Sequence, residues 1–415
     1  MKNILHNGYT IPIVTLLDRS INEYSNSNKF QLNNLKKVSL IKKLWNERQI
    51  KKLTEKLIND LEPYKAIFQE EQNSDAFLYS PEKEEVKSII TDFMLKIDKR
   101  KLLFDKPFLK FFIEEGYLEV AEEFIKAAKK KDSQLKPEEI FQALRNVWIM
   151  NSLQIFWDLP LKMTPSVYAY SMLYPYTDNF LDNPELSKEE KINFNKRFYR
   201  VLDGEKLVPE SFIEEKVFSL VTQIESEYCR DTYPHVFESL KLIQEAQAES
   251  MRQNSSKILT EDRILPISFF KGGTSVLADA FLVKGNLTTD EMHFAFNYGT
   301  FLQLLDDLQD AEDDKEDRHQ TLFSIKRDNE LIDNEVKRLI SYIFKVNSVN
   351  QADTETMSFM KEVISSCTLI MVMEAVGGNP EFISKELYKE LGSYSKVRLP
   401  FYKEFEDSIK SMIQY

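Results

Sequence analysis

Apolar residues recur every three or four positions along most of the chain, with lysine and glutamate between them. This spacing is typical of amphipathic α-helices, and the stretch from Leu35 to Leu61 predicts one helix or a pair. The same pattern predicts further helices over 82–99, 105–131, 136–156, 164–183, 187–202, 210–229, 234–257, 287–308, 330–346, 352–376 and 382–413. Strands alternating with helices are not indicated. The sequence therefore predicts an all-α fold.

The stretch from Tyr298 to His319 combines an apolar helix pattern with a run of acids. The carboxylates follow without an intervening Gly or Pro, at Asp306, Asp307, Asp310, Glu312, Asp313 and Asp314. At about 100° per residue, Asp306, Asp310 and Asp314 lie along one helix face over roughly 12 Å. Like charges repel there, and the end of the helix dipole is also negative. The spacing predicts a cation-binding face, with a solvated helix end as the alternative.

A second informative stretch runs from Thr164 to Asn183 and is rich in tyrosine. Asp178 and Asp182 stand four residues apart near its end, where they either face a ligand or simply end a helix. If the bundle brings both aspartate groups together, they form a clamp for divalent cations. Oxygen ligands favour Mg²⁺ or Mn²⁺, and Mg²⁺ typically keeps waters and substrate phosphates in its shell. A diphosphate is therefore the expected third partner.

Two adjacent glycines, Gly272 and Gly273, interrupt an apolar helix-like run. Glycine inside a helix costs about 1 kcal/mol relative to alanine. The pair therefore indicates a helix break, a close approach by ligand or backbone, or tight helix packing. These alternatives stay open at the level of sequence.

Composition narrows the class of protein. A net charge of −12 argues against a nucleic-acid partner, so an anionic substrate needs metal ions or a local basic patch. Cys229 and Cys367 are the only cysteines, which favours a reducing compartment without disulfides. The N-terminus lacks the features of a signal peptide, and no apolar run is long enough to span a bilayer. We expect a cytoplasmic protein with no transmembrane segment.

The chain shows no internal repeat and no long linker. Residues 1–33 have mixed polarity, and we expect a partly irregular N-terminal segment there. Residues 34–415 are expected to form a single large all-α catalytic domain, in which the informative motifs lie within about 145–320.

The two aspartate groups carry a resemblance to a known family. The motifs DNFLD (178–182) and DDLQDAEDD (306–314) resemble the two aspartate-rich motifs of class I isoprenoid synthases. The segment from Gln303 to Asp314 is similar to the second motif of squalene and phytoene synthases. The spacing of Asp306, Asp310 and Asp314 matches that of terpene synthases, and bacterial large terpene synthases share such relaxed motifs. The resemblance implies a class I isoprenoid (terpenoid) synthase helical bundle, here with an extra helical N-terminal region.

The resemblance also implies a set of site residues. It assigns three Mg²⁺ ions, or Mn²⁺, to the carboxylates of Asp178, Asp182, Asp306, Asp307, Asp310 and Asp314. Of these, the resemblance implies that Asp178, Asp182, Asp306 and Asp310 are catalytic. Candidate ligands of the substrate diphosphate are the basic residues Arg145, Arg263, Lys271 and Arg318. For Arg318, a salt bridge with Asp314 four residues earlier is the alternative.

The implied reaction is Mg²⁺-dependent ionisation of a prenyl diphosphate, followed by carbocation cyclisation or elimination and release of diphosphate. Two departures matter: Asn179 follows Asp178 where many relatives have a second acid, and the second motif lacks the Asn, Ser/Thr and Glu usual in cyclases. A prenyltransferase, or a squalene or phytoene synthase-like enzyme that condenses two prenyl diphosphates, is therefore the first alternative to a terpene synthase. The second is a non-catalytic helical protein that binds metal or a partner. A homodimer is left open.

Overall fold

A computed structural model describes residues 9–27, 32, 35–64, 81–254, 257–325 and 330–413. Throughout these residues the regular structure is helical and no strand is present, which confirms the predicted all-α class. The helices are α1 (Ile13–Ser25), α2 (Leu40–Leu61), α3 (Pro81–Lys99), α4 (Leu109–Glu114), α5 (Tyr117–Lys131), α6 (Pro137–Phe156), α7 (Pro165–Asp182), α8 (Lys188–Leu202), α9 (Phe212–Glu227), α10 (Pro234–Ser250), α11 (Glu261–Lys284), α12 (Thr289–Gln309), α13 (Ala311–Glu316), α14 (Asp333–Val346), α15 (Glu355–Gly378), α16 (Lys385–Tyr394) and α17 (Leu399–Ile413). None of the described helices is long and apolar enough to cross a membrane.

Contacts group the chain into two compact units. The first comprises Met1–Ser27, Tyr117–Ile325 and Tyr342–Lys361, and the second comprises Asn28–Gly116, Lys326–Ser341 and Glu362–Tyr415. Helix α1 packs against α11 and α12 of the first unit, and the N-terminal boundary that we predicted near residue 33 stays a prediction. The single domain predicted from residue 34 onward stays a prediction. Every predicted site residue belongs to the first unit.

Helix α11 is the central element of the first unit, and α1, α6, α7, α10 and α12 all pack against it. Its sequence explains this position, because it is apolar on every side rather than on one stripe. Between Ile267 and Leu282, only Lys271 and Ser275 are partly exposed. These two residues are four positions apart and therefore lie on one face.

The glycine pair in α11 does not break the helix. A Cβ atom on Gly272 would lie 2.5 Å from the carbonyl oxygen of Gly299 in α12, and one on Gly273 would lie 2.4 Å from the ring of Phe296. Both distances are shorter than any real Cβ contact. Of the three alternatives that the sequence left open, tight helix packing with close backbone approach is the observed one.

Three predicted helices are shorter or divided. The helix predicted over 105–131 is two helices, because Gly116 between them has a φ of 98° that a right-handed helix cannot contain. The helix predicted over 382–413 is likewise interrupted, with Ser395 extended at a ψ of 143°. The helix predicted over 234–257 ends at Ser250 and continues only as the 3₁₀ turn Met251–Asn254.

Candidate functional site

The acidic stretch does not form the single straight helix face that the spacing predicted. Helix α12 ends at Gln309, α13 begins at Ala311, and Asp310 between them has a ψ of 9°. Clustered carboxylates explain the break, because aspartate is a poor helix former and repulsion opposes a regular turn. The interval of one turn is nevertheless retained. The Asp310 amide donates to the Asp306 carbonyl at 2.9 Å, and the Asp314 amide donates to the Asp310 carbonyl at 2.8 Å.

Asp307 points into the interface between α11 and α12. Its two carboxylate oxygens accept hydrogen bonds from Gln303 at 2.8 Å and from Ser268 of α11 at 3.0 Å. Burial raises the pKa of Asp307 to about 6, and the donors and the nearby Lys271 limit the rise. Because both oxygens already have protein partners, Asp307 fixes the two helices relative to each other. The metal role predicted for it stays a prediction.

Asp310 and Asp314 lie in a field of neighbouring carboxylates. Burial and repulsion from Asp306 and Asp313 raise the pKa of Asp310. Burial and repulsion from Asp307, Asp310 and Asp306 raise the pKa of Asp314 to about 7, although a hydrogen bond from Thr321 opposes that rise. A cluster whose members raise one another's pKa values gains stability from an added cation.

The end of α13 shows what Arg318 does in the fold. Arg318 has a φ of 59°, in the left-handed region where glycine is usual. The amide of His319 donates to the Asp314 carbonyl at 2.8 Å, which closes the helix and turns the chain back. The exposed Arg318 side chain stands at this turn. Its predicted role in binding diphosphate stays a prediction.

The first aspartate group meets the second through Tyr174 of α7. The Tyr174 hydroxyl donates a hydrogen bond to Asp178, one turn further along α7. After burial, the charges of Asp178 and Asp306 are the causes that raise the pKa of Tyr174. Asp178 also accepts a hydrogen bond of 3.4 Å from Gln247 of α10. The charges of Asp178 and Asp306 thus both act on the same phenol, whereas the side chain of Asp182 lies outside the described residues.

Two of the four predicted basic residues act on this region. The positive charge of Arg145 on α6 opposes the rise in the pKa values of both Tyr174 and Asp310. Lys271 on α11 has the same effect on Asp307 and Asp310. By contrast, Arg263 is exposed in the first turn of α11, where its guanidinium lies 3.9 Å from the carboxylate of the adjacent Asp262.

On α6, α7, α11 and α12, several partly exposed side chains lie next to buried ones. Tyr174 is 40% exposed although the eight residues before it in α7 are all buried. Comparable positions are Lys271 and Ser275 on α11, Leu302 and Asp306 on α12, and Arg145 and Trp148 on α6. The charges of Arg145 and Lys271 both act on Asp310, and that of Arg145 also acts on Tyr174, so these three side chains lie near the same cluster of carboxylates.

Asp279 is a buried acid that the sequence analysis missed. It lies two turns beyond Lys271 on the same face of α11, is 0% exposed, and accepts a hydrogen bond of 3.1 Å from Asn146 of α6. Its other oxygen, Oδ2, has no hydrogen-bond partner, and burial raises its pKa well above the ordinary value. Its charge also raises the pKa of Tyr170, one turn below Tyr174. A signal was present in the sequence, since Asp279 is the only carboxylate in an apolar run.

The donor set is suited to Mg²⁺ shared with a phosphate rather than to a closed metal site. Among the residues that the structure describes, no three acidic, histidine or cysteine side chains are close enough together to hold a metal ion by themselves. Mg²⁺ bound to phosphates needs only one or two carboxylates, because water and phosphate oxygens complete its shell. Asp306 and Asp310, which are one helical turn apart, supply two such carboxylates. The three ions implied by the resemblance stay a prediction.

No family model matches the chain, and neither a curated protein nor a solved structure matches it. The resemblance to class I isoprenoid synthases therefore rests on the two aspartate motifs and the side chains around them.

Proposed function

We propose that α6, α7, α11 and α12 border a recess in which this protein binds a prenyl diphosphate and ionises it, as class I terpene synthases do. One observation carries the proposal, namely that Asp178 and Asp306, from the two aspartate motifs, both act on Tyr174. The motifs are separated by well over a hundred residues in the sequence. A chain that needed only a solvated acidic surface would have no reason to bring them together.

The charges around the recess suit a diphosphate. Arg145 supplies a planar guanidinium that can hold two phosphate oxygens at once, and Lys271 supplies a compact positive charge. Both already act on Asp310, so an anion placed between them would lie beside the carboxylates. Divalent cations bound there would bridge protein and diphosphate and neutralise the charge that develops as the carbon–oxygen bond breaks.

The interior end of the recess suits a hydrocarbon chain. Tyr174 and Tyr170 lie one turn apart on α7, and the Tyr170 hydroxyl donates to the Ser275 carbonyl of α11 at 3.4 Å. Aromatic faces stabilise a carbocation by cation–π attraction. Burial raises the pKa of Asp279, which disfavours a negative charge on that side chain near Tyr170.

The test is to incubate the purified protein with Mg²⁺ and single prenyl diphosphates of increasing chain length. Released diphosphate is measured by a coupled assay, and extracted organic products are measured by mass spectrometry. We expect diphosphate release together with a hydrocarbon or an alcohol, and loss of both when a chelator removes the metal. Absence of release with every chain length would contradict the proposal and favour the non-catalytic alternative.

The same assay separates the condensing enzymes. Paired substrates that yield a longer diphosphate would indicate a prenyltransferase, and paired substrates that yield a larger hydrocarbon would indicate head-to-head condensation. Both outcomes retain diphosphate ionisation at the two aspartate motifs. They would change the fate of the cation rather than the site.

A further inference from the structure

At the start of α2, in the second compact unit, the buried face is polar and the exposed face is apolar. Its buried residues include Lys43, Asn46 and Glu47. Its outward residues are apolar, with Leu40 60%, Ile41 82%, Leu44 47% and Trp45 45% exposed. We call these four residues the apolar tip. Large apolar side chains that are contiguous and exposed usually mark an interaction surface.

Specific bonds hold the helix in this orientation. Lys43 donates to the carbonyl of Gly392, Asn46 donates to the carbonyl of Lys396 at 2.8 Å, and Glu47 pairs with Arg398 at 2.7 Å. Removing a partner from a buried charge is strongly destabilising, so rotation of α2 to bury the tip is opposed. The tip is therefore presented to the outside by polar contacts on the opposite face.

Basic side chains surround the apolar tip. Exposed cations precede it at Lys36 and Lys37 and follow it at Arg48 and Lys52, and we call these four residues the basic flank. Lys42 lies between residues of the apolar tip in the sequence, and its Nζ is 3.7 Å from the centre of the Trp45 ring. Between residues 36 and 56 the chain has eight lysines and arginines against two glutamates, although the whole protein carries a net charge of −12. The cationic character is thus local.

The geometry points to an anionic lipid bilayer as the occupant of this surface. Tryptophan and aliphatic residues insert at the boundary between headgroups and acyl chains, while lysine and arginine stay at the level of the headgroups. A symmetric contact with a second copy would instead bring two basic flanks together, and like charges at a contact are destabilising. The surface lies in the second compact unit and does not depend on the proposed diphosphate chemistry.

The test is flotation of the full-length protein with vesicles, either of phosphatidylcholine alone or of an equal mixture with phosphatidylglycerol. We expect binding to the anionic vesicles, little binding to the neutral ones, and a blue shift of fluorescence that Trp45→Phe removes. The triple variant Ile41→Ser/Leu44→Ser/Trp45→Ser removes the tip. The double variant Arg48→Glu/Lys52→Glu reverses part of the flank. Each should weaken binding at least about tenfold, since each interfacial charge or buried apolar group contributes substantially to binding.

The matched control is Val208→Ser/Ile258→Ser, which removes two apolar residues that are at least as exposed but lie outside α2 and the basic flank. It should bind like the unaltered protein. Equal binding by the tip variant, or absence of binding to both kinds of vesicle, would overturn the inference. Sedimentation without lipid tests whether a second copy of the chain covers the surface. A dimer that dissociates in the tip variant would assign the surface to that second copy.

Discussion

The two halves of α12 have opposite environments. From Ala295 to Leu305 the helix is almost entirely buried, and at Gly299 its backbone lies against that of Gly272 in α11. From Asp306 onward the side chains alternate between exposed and buried, and the helix breaks at Asp310. The first half is close-packed without charge, and the second half carries charge with incomplete packing.

The difference indicates that the packed half of α12 positions the helix and that the acidic half carries the proposed chemistry. The close contact at Gly299 fixes α12 against α11, and Asp307 continues that contact through Ser268. With α12 held in this way, Asp310 lies within the electrostatic influence of Lys271 and Arg145. A metal-binding end needs such support, because carboxylates that repel one another do not hold their own geometry. Substitutions in the two halves should therefore have different consequences.

The largest effect is expected in the acidic half. Asp310→Asn removes a negative charge from the cluster and should reduce diphosphate release about a hundredfold to a thousandfold, a typical loss for one electrostatic catalytic group. The thermal midpoint should stay the same or rise, because repulsion from Asp306 and Asp313 is relieved. Turnover and thermal unfolding are measured on the same preparation.

The control for this substitution is Glu316→Gln, which removes an exposed charge from α13. It should leave turnover within about twofold, as surface substitutions away from a site generally have small effects. Near-full activity of Asp310→Asn would remove that residue from the site.

The second effect is expected in the packed half. A Cβ atom on Gly299 would lie 2.0 Å from the Gly272 carbonyl oxygen. Gly299→Ala should therefore separate α11 from α12 and lower the free energy of unfolding by about 3 kcal/mol, in the upper range for overpacking. Denaturant unfolding measures the loss. The matched control is Gly378→Ala, where a new Cβ meets no atom within 4 Å; a comparable loss there would show that the close contact is not the cause.

A smaller effect concerns Asp279 and pH. Burial raises its pKa, so the native protein retains a proton that the unfolded chain loses above about pH 4. The stability that this proton contributes is complete below that pH and is lost as pH rises toward the native pKa, by at most about 1.4 kcal/mol per unit. The surrounding groups are the neutral Asn146 and Tyr170, whose own pKa is raised.

Asp279→Asn removes this titration while keeping the shape of the side chain. Urea unfolding of both proteins from about pH 5 to about pH 8 should show stability falling more steeply in the unaltered protein. Parallel profiles would mean that Asp279 is charged in the native state.

The local pattern was sufficient to predict most helices, because a helix depends on spacing within a short stretch. The site role of the acidic residues stays a prediction. The local pattern was insufficient for the glycine pair, since the partner Gly299 belongs to another helix. It also missed the break at Asp310, because regular spacing does not include the mutual repulsion of the carboxylates. The burial of Asp279 could not be predicted either, because it depends on α6 and α7 packing against α11. What required the structure was therefore the identity of contacts between distant segments.

The proposed function requires the two aspartate motifs to act as one site. The most direct measurement is a double-variant cycle with Asp178→Asn and Asp310→Asn, scored by kcat/KM for diphosphate release. If both residues serve the same reaction centre, each single variant should lose most of the activity and the double variant should lose little more, because groups that act as a unit are not additive. Losses that multiply, or full activity of Asp178→Asn, would contradict the shared site.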